Sequence, residues 1–294
     1  MTKLKLSVVV ISYNMTRELP RTIRTLSPSM QLRMSPSEYE IIVVDNGSTA
    51  RFPEEECRRW HADLIVHHME APKPSPSAAI NKGIELARGE LVGVCIDGAR
   101  MASPGLLSTA IAASRLHDRP VIGTIAFHLG PEVQMKSVAK GYDQVTEDAL
   151  LASCGWEQDG YRLFDIAVFA GSAVKGWFSL PSETNALFMR RQHWHELGGF
   201  DTAFEQPGGG LVNLDAWARA CADPRAMVIM LLGEATFHQV HGGIATNALV
   251  HPLPVFHDEY KRLRGQPFKW PDKPAFIFGR MNPHIIESMR GSLG

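Results

Sequence analysis

A chain of 294 residues, 45% hydrophobic and 21% charged, has the length for one large α/β domain with a substantial core, or for two small ones. Its 30 basic and 31 acidic side chains leave a formal net charge of -1, which excludes the basic excess of a nucleic-acid-binding surface. The four cysteines, Cys57, Cys95, Cys154 and Cys221, form no Cys-x-x-Cys pair, so a reducing compartment is expected and a zinc or disulfide framework is not.

The first element is "LSVVVISYN". Its apolar run is short and lacks a small-residue cleavage site, which predicts a strand rather than a signal peptide. The absence of alternation predicts a strand covered on both faces. "MTRELPRTIRTLS" places Leu19, Ile23 and Leu26 at helical spacing, with Pro20 acceptable only in the first turn. "YEIIVVDNGST" predicts a second buried strand, "EEECRRWHA" a helix and "DLIVHHME" a third strand. "AAINKGIELARG" predicts a helix closed by Gly89, and "ELVGVCID" a fourth strand. Alternating strands and helices over residues 6–115 predict a mostly parallel open sheet with right-handed crossovers.

In such sheets ligands bind beyond the carboxyl ends of the strands. Asn14, Asp45 and Asp97 each close a different strand, so the topology gathers them along one rim.

The second half is less regular. "YRLFDIAVFAG" reads as a strand, and "ETNALFMRRQHWHELGGF" as a strand and a short helix ended by Gly198-Gly199. "QPGGGLVNLDAWARACAD" reads as a glycine-rich loop running into a helix, and "AMVIMLLGEATFHQVHGG" as a strand ending in histidines. Residues 251–294 read as a short helix and an extended C-terminal extension. No segment approaches the roughly 20 apolar residues of a membrane span. A cytoplasmic protein is expected, with attachment to the inner face of the membrane through a partner or lipid substrate left open.

The ordered segments "VVVISYN", "IIVVDNGST", "AAINKGIELARGELVGVCID" and "LGGFDTAF" resemble glycosyltransferase family 2. The resemblance covers residues 5–110 well and 183–220 moderately. It implies a GT-A-type α/β fold over residues 1–250: a Rossmann-like nucleotide-sugar half (1–130) and an acceptor-binding half (131–250). It implies a nucleotide-sugar donor, a UDP- or GDP-sugar, bound by Ser12, Tyr13, Asn14, Asp45, Asn81, Asp97 and Arg100. It also implies a glycan or glycolipid acceptor, bacterial polysaccharide or glycoconjugate synthesis, and a divalent metal, Mn2+ or Mg2+. Oligomeric state is left open.

Two positions depart from the family pattern. Ala99 stands where the second carboxylate of an Asp-x-Asp motif is expected, and Val212-Asn213 where a Glu-Asp pair is expected. His238 and His241, three residues apart after an apolar strand, are candidates to complete a metal site with Asp97, because imidazole ligates manganese-like and zinc-like ions. Arg100 as a metal-free diphosphate clamp competes with that reading. Asp215, the nearest carboxylate to that missing pair, is the candidate base or an acceptor-binding carboxylate, since in inverting enzymes a carboxylate takes the acceptor hydroxyl's proton.

Bland readings stand beside these. "DNGS" is a strong turn sequence, so Asp45 also reads as a turn residue. Tyr13 also reads as a partly buried aromatic, Asp215 as a helix-start charge, and the histidines other than 238 and 241 as structural. Trp177 and Phe178 read either as core or as a sugar-stacking wall. A binding protein that has lost catalysis is the first functional alternative, motivated by Ala99 and Asn213. A nucleotidyltransferase is the second, although "SYNMTRELPRT" lacks a Gly-rich triphosphate loop.

Overall fold

The computed structural model describes residues 4–243 and 252–292; the expected domain boundary at residues 250–251 lies outside the described residues. Strand β1 (Leu6–Ser12) is buried at every position. Val9 and Ile11 join one core cluster while Leu6, Val8 and Val10 join the other, so both faces of the strand are covered. Helix α1 (Glu18–Thr25) follows, with Pro20 in its first turn, where the missing N–H has no intrahelical partner to lose. Strand β2 (Tyr39–Asp45) pairs parallel to β1 with Ser12 opposite Asp45. Helix α2 (Glu54–Trp60), strand β3 (Ile65–His68), helix α3 (Ser77–Leu86) and strand β4 (Leu91–Cys95) complete the first half.

Helix α3 ends three residues before Gly89, which corrects the expected glycine cap. Gly89 instead serves a close backbone approach: a Cβ there would lie 2.5 Å from the Ser7 nitrogen.

The chain beyond β4 forms strand β5 (Arg100–Ala102), helix α4 (Leu106–Ala113), strand β6 (Pro120–Leu129), helix α5 (Gln134–Ala139) and helix α6 (Gln144–Cys154). "YRLFDIAVFAG" is mostly not a strand. Gly160–Ile166 form a 3-10 helix whose start is capped by the Asp159 carboxylate accepting from Tyr161 N, and only β7 (Ala167–Phe169) is extended. Leu163 and Phe164 are buried on that turn, so the apolar residues fill the core without sheet pairing. Strand β8 (Ala186–Arg190) leads directly into helix α7 (Arg191–Leu197), which is closed by Gly198 at φ 76, a backbone conformation that favours glycine. Helix α8 (Val212–Ala222), strand β9 (Met227–His238), helix α9 (Leu253–Arg264), strand β10 (Phe276–Gly279) and helix α10 (Ile286–Gly291) finish the chain.

The ten strands form one sheet with main order β10-β9-β6-β8-β4-β1-β2-β3, with β5 paired to β9 and β7 to β6. The four strands of the first half run parallel, as do β6, β9 and β10; β8 runs antiparallel between β4 and β6. This is the GT-A-type α/β architecture. Residues after 252 are joined to it: β10 extends the sheet beside β9, and Phe256, Tyr260 and Ile285 pack into the larger core cluster. All four cysteines are free thiols. Among the described residues no helix is long and apolar enough to cross a membrane.

Candidate active site

Asp97 lies two residues beyond β4, in a turn fixed from several sides. Its Oδ1 accepts a hydrogen bond from Ala99 N at 2.9 Å. Gly98 N donates to Ile11 O at the end of β1 (2.7 Å), Thr22 Oγ1 donates to Gly98 O (2.6 Å), and Gln239 N donates to Ala99 O (2.8 Å). The Ala99 side chain is fully buried in the apolar cluster of β1, β2 and α4. A carboxylate at position 99 would be driven into that core, so the missing second acid of an Asp-x-Asp motif is built into the turn.

The other Asp97 oxygen, Oδ2, meets two imidazoles: His238 Nε2 at 3.0 Å and His241 Nε2 at 3.3 Å, themselves 3.1 Å apart. His238 ends β9, opposite Arg100 in β5. His238 Nδ1 donates to Gln134 Oε1 at 2.5 Å, which fixes the ring with its proton on Nδ1 and turns the Nε2 lone pair toward Asp97. Gln134 is itself fully buried at the start of α5, and its backbone N donates to His128 Nδ1 at 2.9 Å. His128 packs 5.5 Å from the His238 ring; burial, with help from His238 and Arg100, holds it well below the usual imidazole range, so it is a neutral wall.

The loop between the two histidines is clamped as well. Val240 N donates to Glu147 Oε2 and Val240 O accepts from Arg17 Nη2, both at 2.8 Å. Arg17 Nη2 also donates to Glu147 Oε1 at 2.8 Å, so α1 and α6 grip the loop together.

Charge is divided unequally across this cluster. Burial and the Arg100 charge push His238 down to about 4. Burial also opposes a charge on His241, but Asp97 outweighs it and raises that ring. Against the upward push of burial, His241 and His238 hold Asp97 well below the usual carboxylate range. Asp97 is thus favoured as a carboxylate, and of the two rings His241 takes a proton the more easily.

The three ligand atoms lie within 4.8 Å of one another. A carboxylate oxygen and two imidazole nitrogens this close need a proton or a cation among them to offset lone-pair repulsion, and mixed N/O donors suit manganese-like ions. The residues fit a divalent metal, with the histidine supported from behind by Gln134.

Arg100 is only 9% exposed, and its Nε and Nη1 have no hydrogen-bond partner among the described residues. Burial lowers its affinity for a proton, while Asp97 and Glu183 restore part of it. A buried guanidinium with two nitrogens unpartnered thus begins β5, just after the Asp97 turn.

Ser12, Asn14 and Asp45 form a neighbouring cluster, joined to the Asp97 turn through the Gly98–Ile11 bond. Ser12 is fully buried and its Oγ has no partner among the described residues. Tyr13 is 53% exposed. Asn14 sits at φ 53 and its Oδ1 accepts from Thr49 N (2.8 Å) and Ala50 N (3.2 Å), so it ties the ends of β1 and β2 together. Asp45 Oδ1 accepts from Gly47 N (2.9 Å) and Ser48 N (2.7 Å), the turn reading of "DNGS", while Oδ2 lies 3.5 Å from His68 Nδ1.

Two predicted site residues are placed apart from this group. Asn81 donates to Phe200 O and accepts from Phe200 N, both at 2.8 Å; its amide holds the Gly198-Gly199-Phe200 turn and has both ends engaged. Asp215 is 1% exposed, with Oδ1 accepting from Arg264 Nε (2.6 Å) and Oδ2 from Arg219 Nε (2.7 Å) and Arg264 Nη2 (2.8 Å). Two guanidiniums occupy both of its oxygens, one from α8 itself and one from α9, so the carboxylate ties the two helices together. Trp177 is core, packed around Phe127.

The sequence reading missed Gln134 and Glu183. Glu183, half-buried just before β8, accepts from Asn213 Nδ2 at 2.6 Å, and burial pushes its carboxyl up while Arg100 and Asn213 counteract.

The sheet has the GT-A order, and a carboxylate, two histidines and an arginine meet at its rim. The family described as "Glycosyl transferase family 2" matches residues 7–166, over half of the 294, and the chain belongs to that family. Among solved structures it is similar to S. aureus TarS 1-349 in complex with UDP-GlcNAc: 17% identity, TM-score 0.58, covering 88% of this chain and 65% of that one. It is likewise similar to TarS 1-349 in complex with UDP (17% identity, TM-score 0.53, 80% and 60% covered) and to TarS (17% identity, TM-score 0.54, 81% and 37% covered). At this identity the likeness shows the fold, and the chain spans less than two thirds of the length of those structures. A comparison with curated proteins finds no match.

Proposed function

We propose that the chain transfers a sugar from a nucleotide-sugar donor, a UDP- or GDP-sugar, to the hydroxyl of a glycan or glycolipid acceptor. The setting would be cytoplasmic synthesis of a bacterial polysaccharide or glycoconjugate, at or near the inner face of the membrane. The observation that carries this reading is the convergence of Asp97, His238 and His241 at the rim of the sheet, with Arg100 beside them.

The departing nucleoside diphosphate accumulates negative charge as the glycosidic bond breaks. Asp97 Oδ2, His238 Nε2 and His241 Nε2 would hold a divalent cation, Mn2+ or Mg2+, which when bound offsets that charge. Gln134 keeps the His238 donor atom aimed, and the Ala99 amide keeps Asp97 turned so that Oδ2 faces the histidines. Arg100, buried and unpaired on two nitrogens, adds a fixed positive charge in a place where reorganisation costs little. Exposed Tyr13, with Ser12, Asn14 and Asp45 behind it, offers the base and ribose an apolar face and polar atoms at the ends of β1 and β2.

Release of UDP or GDP from a panel of nucleotide sugars, with Mn2+, Mg2+ or a chelator, tests the proposal. Metal-stimulated release from one donor class is expected. Tight UDP or GDP binding with no release from any donor and any acceptor would favour a binding protein that has lost catalysis, the reading that the Ala99 and Asn213 departures motivate.

A further inference from the structure

We propose that Glu183 is the carboxylate that takes the proton from the attacking acceptor hydroxyl; the inference rests on the glycosyl-transfer reading above. The need for such a group is open because the position at the start of α8 where an acid is expected holds Asn213, and an amide does not act as a base. Asp215, one step further along the helix, has both oxygens held by arginines.

Glu183 reaches the rim by the sheet's change of direction. Strand β8 runs antiparallel to β4, with Ala186 opposite Cys95. The chain just before Ala186 therefore runs alongside the chain just after Cys95, which is the turn carrying Asp97. Glu183 is brought beside the donor site from an element whose amino end, and not its carboxyl end, faces the ligand. Arg100 links the two, its charge acting on both Asp97 and Glu183.

Asn213 explains how the carboxylate is held. Its Nδ2 donates to Glu183 Oε2 at 2.6 Å and also points at Thr184 O (3.1 Å), which fixes the side chain across from α8. The same Nδ2 lies 3.4 Å from Asn185 Oδ1, so three acceptors of this segment converge on Asn213. Glu183 remains half-buried where Asp215 is sealed, so an acceptor oxygen can reach it. Burial pushes its carboxyl up against the pull of Arg100 and Asn213, the direction that makes a carboxylate a stronger base.

The step balances without any further reagent. The acceptor O–H bond breaks and its proton passes to a Glu183 oxygen. The acceptor oxygen forms a bond to the anomeric carbon, and the bond from that carbon to the diphosphate oxygen breaks with its electron pair leaving on the nucleoside diphosphate. One carboxylate acting on the face opposite the leaving group gives inversion at the anomeric carbon.

Glu183→Gln tests this, because a glutamine oxygen still accepts from Asn213 and the fold is kept. Wild type and variant are compared for UDP and GDP affinity, for release of nucleotide from UDP- and GDP-sugars with water as acceptor, and for the same release with azide added. Azide attacks as an anion and needs no base. The expected result is nucleotide affinity within about twofold, water-dependent release reduced by about 10²- to 10⁴-fold, and release restored by azide with an inverted glycosyl azide as product. Release by the variant within about threefold of wild type overturns the assignment, and so does a loss that azide fails to restore or a loss of nucleotide affinity. Wild type that binds neither nucleotide and consumes no donor overturns the glycosyl-transfer reading itself, a result distinct from any of these.

Discussion

Two carboxylates, half-buried Asp97 two residues beyond β4 and buried Asp215 in the first turn of α8, sit among positive or ionisable groups of different kinds. Asp97 is faced by two imidazoles, groups that exchange a proton for a metal at ordinary pH, and one of its oxygens is left to them by the Ala99 amide. Asp215 is faced by two guanidiniums, which never give up their protons, and both of its oxygens are taken. Charged company alone therefore does not leave a carboxylate available to a metal. What matters is whether the partners can leave.

That contrast is most open to attack at Asp97. Asp97→Asn keeps the Ala99 hydrogen bond and removes the charge. Metal-stimulated donor turnover is expected to fall by about 10²- to 10³-fold, in line with the several kcal/mol a metal contributes at a leaving group. Steady-state assays with and without Mn2+ read this, and a variant with unchanged metal-dependent turnover would remove Asp97 from the site.

A smaller effect is expected behind the histidine. Gln134→Leu removes the acceptor that orients His238 Nδ1, so Mn2+ affinity should fall about 10- to 100-fold while the fold is retained. Titration calorimetry measures it, and unchanged affinity would show that the ring is aimed by packing alone.

At the other carboxylate the loss should appear in stability. Asp215→Asn leaves Arg219 and Arg264 without their shared counter-charge. A cost of about 3 kcal/mol is expected, at the low end for a broken buried pair because both arginines remain partly exposed. A thermal melt should move down by several degrees, with turnover per folded molecule changed less than about threefold. A fall of 10²-fold in turnover at an unchanged melting temperature would return Asp215 to the role of base.

The smallest effect is expected at Asp223. Burial pushes its carboxyl up, but the Arg225 amide and the Arg119 side chain outweigh it and hold it at about 2. Its folded value is depressed, so its stabilising contribution is complete above about pH 4, the ordinary unfolded value, and fades as pH falls toward 2. Asp223→Asn should lower the melting temperature at pH 6 and converge with wild type near pH 2. A constant gap across that range would assign the loss to packing.

The part of the molecule legible in the sequence is the part built from strands covered on both faces. Continuous runs such as "SVVVIS" and "IIVVD" mark such strands directly, and their shared direction places Asp45 and the Asp97 turn on one rim. The His238–His241 pair was readable because both residues follow a long apolar strand at close spacing. Glu183 was not, because the rule that ligands lie beyond carboxyl ends points away from the start of an antiparallel strand, and nothing local in "SETNALFMR" states that β8 runs against β4. Gln134 carries no chemical signature until α5 is packed behind β9. The strand expected in "YRLFDIAVFAG" failed for a related reason: Leu163 and Phe164 satisfy the core equally well from a 3-10 turn, and burial does not distinguish the two conformations.

The most direct test of the account is the affinity of the wild-type protein for UDP and GDP, measured by calorimetry with Mn2+ and again with a chelator, alongside His238→Ala/His241→Ala. The account predicts that Mn2+ tightens binding of one nucleotide at least tenfold in the wild type and has no effect in the double variant. Equal affinity with and without metal in both proteins would contradict it, and would hand the diphosphate to Arg100.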